Sequence, residues 1–346
     1  MVKKLVLKIA GILIIVALIN VPIRYLFYNK QLPYYWGNHF TLIKRNYLVD
    51  HKANFNTLFL GSSKTHYQVE PVLFDSLVNS SSPDTNKIHS YNFGIDGMMP
   101  PESFYLYKSI LENDSLKFKT VILELNFLQT GETKNMFTWR GYYWLHRDTY
   151  QDYMSSMLES QYPLIQKAWN FSLVNTMAVE KVYNMGMFNE LVEFHREQFM
   201  DDTGKEATNH GFLALPRHKE FSPVERQKVI DVRKASLDAT NNYDAWAAGK
   251  LNENFNDCVK DVIDISRKRG IRLIFLLPAE WNSYQYKEIF PILKTIPDHD
   301  KIVMYQYDEK FKPLFEFENM FDNSHVNGYG ARIYTGYVAE AFEKIR

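Results

Sequence analysis

Asn56-Thr-Leu-Phe-Leu-Gly61-Ser62-Ser63-Lys64-Thr65-His66 decides the fold. The run rich in strand formers does not alternate with polar residues, so it reads as a strand buried on both faces, and the glycine ends it in a turn. Such a strand belongs to a parallel sheet covered by helices on both sides. Working outward, Ser90-Tyr-Asn-Phe-Gly94, Lys119 to Leu125 and Ile271 to Pro278 have the same character, with a weaker fifth segment at Lys301 to Tyr305. Helical patterns at 101–112, 252–269 and 328–345 lie between or after these strands. Alternating strand and helix predicts an α/β fold with three layers, α/β/α, around a parallel sheet.

Two regions interrupt that alternation. Residues 130–251 lack strand signals and are aromatic, Met-rich and helical, with Trp139, Tyr142, Tyr143, Trp144 and His146 near their start. They read as an insertion over the carboxyl ends of the strands, where open α/β sheets bind ligands, and those four aromatics are candidate substrate contacts. A polar, loop-like stretch lies near 201–210. At the other interruption, Leu5 to Phe27 is almost wholly apolar after Lys3 and Lys4, with Lys8 able to snorkel. The absence of a small-residue cleavage pair favours an uncleaved transmembrane helix over a signal peptide or a buried soluble helix. The lysines place the N-terminus in the cytoplasm, so residues 1–29 form a cytoplasmic tip and anchor and 30–346 an extracytoplasmic domain, periplasmic or at the cell surface. Tyr25, Phe27, Tyr28, Tyr34, Tyr35 and Trp36 would form the interfacial belt.

Composition narrows the function. The 346 residues carry 40 basic and 40 acidic side chains, so no broad positive field exists for nucleic acid. Cys258 is the sole cysteine, which excludes an intramolecular disulfide and any multi-cysteine metal site and suits a buried apolar role. His66, His89 and His146 lack metal-ligand spacing and read as surface or capping residues, and Glu102 reads as a helix-start carboxylate. Asn170-Phe-Ser172 fits the glycosylation acceptor pattern. No cofactor or metal is expected.

Two motifs carry chemistry. A serine directly after a strand-ending glycine can present its hydroxyl at the sheet edge and its N–H to an oxyanion, although Gly-Ser-Ser is also an ordinary helix cap or phosphate-binding turn. Near the C-terminus, Phe321-Asp322-Asn323-Ser324-His325-Val326-Asn327-Gly328 places an aspartate three residues before a histidine. The aspartate can fix the imidazole tautomer and leave Nε2 as a base toward a serine; a helix cap with a surface histidine has the same sequence.

Taken together, Gly61-Ser62-Ser63, Asn92-Phe-Gly94-Ile-Asp96-Gly97 and Asp322-x-x-His325 resemble, in order, the first, second and last blocks of the SGNH (GDSL-like) hydrolase superfamily. The resemblance implies an SGNH-like fold with Ser63 as nucleophile, His325 as base, Asp322 as its orienting partner, and the amides of Ser63 and Gly97 as oxyanion donors. Ser62 stands where the family carries aspartate. Glu124-Leu-Asn126-Phe-Leu128 stands where it carries Gly-x-Asn-Asp, which makes Asn126 the candidate third donor. The Gly-Ser-Ser opening is similar to that of membrane-anchored members acting on surface polymers, including proteins of teichoic-acid D-alanylation and alginate O-acetylation. The expected function is an O-acyl esterase or acyltransferase on a cell-envelope or extracellular polysaccharide, with a membrane acyl-donor protein as a partner if transfer is the task. The alternative is a catalytically weak glycan-binding or assembly protein on the same fold.

Overall fold

The structure, a computed structural model, describes residues 2–28, 39–80, 87–128, 139–183, 209–217, 222–239, 249–279, 286–304, 309–322 and 324–346. Five parallel strands, β1 (Thr57–Gly61), β2 (Ser90–Gly94), β3 (Thr120–Glu124), β4 (Arg272–Leu277) and β5 (Lys301–Val303), form one sheet in the order β2-β1-β3-β4-β5. The register sets Gly61 beside Gly94, Leu60 beside Leu123 and Glu124 beside Leu276, so the catalytic candidates near positions 61 and 94 share the carboxyl edge.

Each strand sends alternate residues to opposite faces, and both faces are apolar. Leu58, Leu60, Tyr91, Phe93, Val121, Leu123, Phe275 and Leu277 pack with α5 (Glu102–Leu111), α10 (Glu253–Lys268) and α11 (Tyr286–Leu293). Phe59, Ile122, Ile274, Leu276 and Ile302 pack on the other side with α4 (Pro71–Asn79) and α12 (Gly328–Ile345). Double coverage explains the unbroken apolar runs, since a strand with one wet face would alternate. The three-layer arrangement expected from the sequence is present, and the strand bounds differ from expectation by one or two residues at their ends.

The β2 edge is closed by chain rather than left open. Asn92 N–H donates to His210 O at 2.8 Å, and the Lys44 ammonium, on α2 (His39–Asp50) and fully buried, donates to Gly94 O at 2.9 Å and Gly211 O at 2.8 Å. A buried ammonium is tolerated because these carbonyls replace its water.

The insertion is helical as expected. Helices α6 (Trp139–Trp144), α7 (Arg147–Glu159) and α8 (Leu164–Tyr183) build a separate apolar cluster around Trp144, Tyr153, Met157, Val174 and Met177. That cluster packs α7 on α10 and α6 on α5 and takes in Leu128, four residues past the end of β3. Asn252 joins the two, capping α10 through Phe255 N–H at 2.9 Å and donating to Ser156 O at 2.7 Å. Helix α9 (Pro223–Ala239) completes the described insertion, and most of the 201–210 stretch lies outside the described residues. Asn170 is buried, which removes it as a glycan acceptor.

At the N-terminus, α1 (Val2–Tyr28) is a 27-residue helix that touches α8. Leu5, Leu7, Ile12, Ile15, Leu18 and Ile19 project outward, while the side chains from Asn20 to Tyr28 and the expected aromatic belt lie outside the described set. Among the described residues no helix is long and apolar enough to cross a membrane.

Burial also sets two titrations. Cys258, half-buried on α10, is pushed up to about 12 by desolvation and the nearby Asp152 charge, so its thiol stays protonated and inert. Glu288 on α11 is buried, and desolvation raises its carboxyl to about 7, with Tyr162, the Leu128 backbone and Lys167 offsetting only part. Because the folded value lies above the unfolded one, the protonated group's contribution is complete below about pH 4.5 and lost as pH rises through about 7. Roughly 3 kcal/mol of unfolding free energy should disappear over that window. In urea unfolding, Glu288→Gln should flatten the pH dependence by that amount, and a variant with the wild-type slope would remove Glu288 as its cause.

Candidate active site

The turn that carries Ser62 and Ser63 is built on one buried carboxylate. Glu124, the last residue of β3 and 2% exposed, accepts at Oε2 from Ser62 N–H (2.9 Å), Thr65 Oγ1 (2.7 Å) and Thr65 N–H (3.3 Å). Its Oε1 accepts from Ser62 Oγ (2.6 Å) and Asn126 Nδ2 (3.1 Å). A carboxylate accepts without donating, so it matches a ring of donors that an amide side chain cannot. Gly61 has no side chain because a Cβ there would lie 2.1 Å from Thr65 Oγ1 and 2.4 Å from Glu124 Oε2.

Helix α3 (Ser63–Gln68) starts immediately after this turn. Ser62 is its N-cap, with Oγ accepting from Lys64 N–H at 3.2 Å, and His66 N–H closes on Ser62 O at 3.0 Å. Thr65 N–H is taken by Glu124, so among the described residues the Ser63 N–H is the first-turn amide left over. Ser62 is therefore tied into the interior, and half-buried Ser63 is the serine that faces outward.

The second motif supports the same helix from below. Asn92 Nδ2 donates to Thr65 O (2.6 Å) and Val69 O (2.7 Å), while its Oδ1 accepts Gly94 N–H (2.8 Å). Gly94 permits the approach, since a Cβ would stand 2.2 Å from His66 N. Gly97 follows in a turn with φ of 64°, a left-handed conformation that glycine adopts at no steric cost. His66, expected at the surface or in a cap, is buried, because α3 lies flat on Gly94 and turns the ring inward. Its Nδ1 lies 2.8 Å from Asp96 Oδ1, and the Tyr67 hydroxyl donates to Asp96 Oδ2. Burial opposes ionisation of Asp96, but the His66 hydrogen bond and charge, with Tyr67 and His325, hold its carboxyl below the usual range. The Tyr67 ring meets the His325 ring edge-on at 5.6 Å.

The third motif forms a closed loop. Met320 and Val326 pair as an antiparallel bridge, and Asn327 caps α12 with Oδ1 while donating to Glu318 O at 2.6 Å. Within the loop, Asp322 Oδ1 accepts the N–H of Ser324 (2.6 Å) and of His325 (2.8 Å), which turns the chain so that the imidazole comes back to the same carboxylate. His325 Nδ1 lies 2.9 Å from Asp322 Oδ2, and His325 Nε2 lies 2.7 Å from Ser63 Oγ, 262 positions away in sequence. An ionised Asp322 assigns the proton to Nδ1 and the Nε2 lone pair to the serine. Burial alone would raise Asp322; the His325 hydrogen bond, the Ser324 N–H, the His325 charge and the His325 N–H outweigh it and bring the carboxyl down to about 2.

The structure thus brings Ser63, His325 and Asp322 together, with the Asn92–Gly97 segment under the same helix. It treats the other candidates differently. Asn126 is 6% exposed and turns Nδ2 to Glu124 and Oδ1 to Phe127 N–H, so it serves the carboxylate that holds the turn. Trp144 is fully buried in the insertion cluster, which removes it as a stacking surface, and half-buried Tyr143 packs edge-on against Tyr105 at 5.2 Å. The side chains of Trp139 and Tyr142 lie outside the described residues. His89 is exposed, Glu102 begins α5, and His146 stands at the N-cap of α7, in line with the sequence reading. Among the described residues no group of His, Cys, Asp and Glu could hold a metal ion.

Sequence reasoning passed over Glu124 and Lys44. A carboxylate at the end of an otherwise apolar strand was the available signal for Glu124, since an acidic residue inside a doubly covered sheet must meet donors.

The chain matches no family model and no curated protein sequence.

Glu124→Gln should destabilise the protein by about 2–4 kcal/mol, because an NH₂ group would face donors. Asn126→Ala, which leaves the carboxylate its other partners, should cost about 1 kcal/mol. Urea unfolding compares the two; equal, small losses would mean that Glu124 does not organise the turn.

Proposed function

We propose that the protein is an SGNH-like O-acyl esterase or acyltransferase acting on a cell-envelope or extracellular polysaccharide. The observation that carries this reading is the continuous hydrogen-bonded series Ser63 Oγ, His325 Nε2, His325 Nδ1 and Asp322, with distances of 2.7 and 2.9 Å. In the reaction, Ser63 Oγ attacks the ester carbonyl as His325 Nε2 takes its proton, and Asp322 stabilises the imidazolium. The carbonyl oxygen gains the negative charge, and the amides of Ser63 and Gly97 are the proposed donors to it. Collapse of the tetrahedral intermediate breaks the ester C–O bond, and His325 returns the proton to the departing alkoxide. Water or a sugar hydroxyl, deprotonated by His325, then attacks the acyl-serine and releases Ser63. A membrane acyl-donor protein would supply the acyl group if transfer is the physiological direction.

Asp322, with its carboxyl near 2, stays ionised through the working range, so acid loss of activity above about pH 4 does not come from this group. A fluorophosphonate probe should modify Ser63 in wild type, and peptide mapping should find no label in Ser63→Ala and at least a 100-fold slower rate in His325→Ala. Ser62→Ala should keep its label on Ser63. A folded protein that resists the probe would favour the glycan-binding alternative, and label on Ser62 would reassign the nucleophile.

The proposed location is a single-pass anchor with a cytoplasmic N-terminus and an extracytoplasmic domain. Support comes from the outward apolar side chains of α1, from Leu5 to Ile19. On the adjoining α8, Leu164, Ile165, Trp169, Phe171, Val179 and Val182 are also exposed, an apolar surface suited to a bilayer face. The protein should remain in the membrane fraction after alkaline carbonate extraction, and release into the soluble fraction would remove the anchor.

A further inference from the structure

A groove of ≈ 350 Å³ lies on the flank of the loop that carries Asp322 and His325, lined by Arg217, Arg226, Phe317, Glu318, Asn319 and Tyr329. Phe317 to Asn319 lead into that loop and Tyr329 follows it, so the groove borders both ends of the Met320–Val326 bridge. The insertion delivers Arg217 to this place: the Leu215 carbonyl accepts Gly328 N–H at 2.9 Å, docking the segment against the start of α12. The Arg217 guanidinium then stacks over the Tyr329 ring, 4.0 Å from its centroid, and Tyr329 remains 55% exposed. On the opposite wall Arg226 lies 4.9 Å from the Phe317 centroid and pairs with Glu318.

Two guanidiniums against one carboxylate leave this groove one positive charge on a chain whose formal charge is zero. Glu318 answers Arg226, whereas among the described residues no carboxylate pairs with Arg217. Stacking on Tyr329 orders Arg217 in advance and leaves its planar donor edge for an anion, which lowers the ordering cost of binding. The aromatic faces suit the C–H face of a sugar ring, and the guanidinium suits a carboxylate or phosphate, which it can take in two parallel hydrogen bonds. A purely structural contact would not require the exposed ring face or the residual charge.

We propose that this groove is a binding subsite for an acidic glycan, holding a sugar that carries a carboxylate or phosphate next to the triad. The assignment deepens the polymer-esterase reading and rests on it for the polymer's route to Ser63. It gives the insertion a recognition role through Arg217 rather than through Trp144 or Tyr143.

Isothermal titration of the full chain in detergent micelles tests the subsite, with oligogalacturonate as the carboxylate probe, a 6-phosphorylated mannose oligosaccharide as the phosphate probe and maltohexaose as the neutral control. At least one acidic probe should bind 10-fold or more tightly than maltohexaose, and the tighter of the two identifies the anion. Arg217→Ala and Tyr329→Ala should each weaken that probe by about 10-fold. Arg217→Lys should recover part of the loss, Tyr329→Phe most of it, and Ser63→Ala should bind as wild type. Acidic probes that bind no better than maltohexaose, or a folded Arg217→Ala with wild-type affinity, would overturn the subsite. The small fluorophosphonate does not need the groove, so Ser63 should label at the wild-type rate in the groove variants. Loss of labelling in wild type bears on the esterase reading alone, and loss of acidic-glycan binding with labelling intact bears on the subsite alone.

Discussion

The carboxylate of Glu124 at the end of β3 is the constraint on which the site depends. Desolvating a carboxylate is expensive, and the expense is offset only when donors surround it. Ser62 and Thr65 supply backbone and hydroxyl donors, and Asn126 adds a side-chain amide. Meeting that demand fixes the path of the chain from β1 into α3. Ser62 is drawn inward, and Ser63 is left on the outer side of the turn with its hydroxyl toward His325. The serine at position 62 thus belongs to the support of the site, a short hydroxyl reaching a carboxylate on the neighbouring strand.

The same economy of partners extends across the sheet edge. Asn92 serves three backbone groups at once, two carbonyls at the end of α3 and the amide of Gly94, so the helix bearing Ser63 is held by β2 as well as by β3. Gln68, at the end of α3, also reaches toward Ser324 O at 3.4 Å, and the Thr335 hydroxyl donates to Gln68 O at 3.1 Å. The helix bearing Ser63 and the histidine loop are consequently positioned by shared contacts on rigid elements, the condition that the proposed proton transfer requires. The Asp322 turn contributes locally, since one carboxylate both shapes the loop through two N–H groups and receives the imidazole.

The insertion divides its roles by position. Its first three helices bury Trp144 and Tyr153 in a cluster of their own and lean on α5 and α10. Its later segment, 209–217, runs along the β2 edge and on to the start of α12, and with Arg226 of α9 it brings insertion residues to the flank of the histidine loop. In the proposed subsite the insertion contributes Arg217 from this strip and Arg226 from α9.

The sequence by itself determined the sheet, because uninterrupted apolar strands and intervening amphipathic helices leave few alternatives to a doubly covered parallel fold, and the three chemical motifs were legible because each is local. Gly61-Ser62-Ser63 and Asp322-x-x-His325 announce turns whose geometry depends on neighbours within a few residues. Tertiary structure alone decided which of the two serines faces the histidine, because Glu124 lies 62 residues from Ser62 and nothing in their spacing shows that they meet. It also decided that His66 and Trp144 are interior and that Asn126 answers a carboxylate, since burial depends on what packs above a residue. Hydrophobic periodicity reports which face of an element is covered; only the assembled chain reports which polar partners are waiting there, and those partners choose the residues that remain free for chemistry.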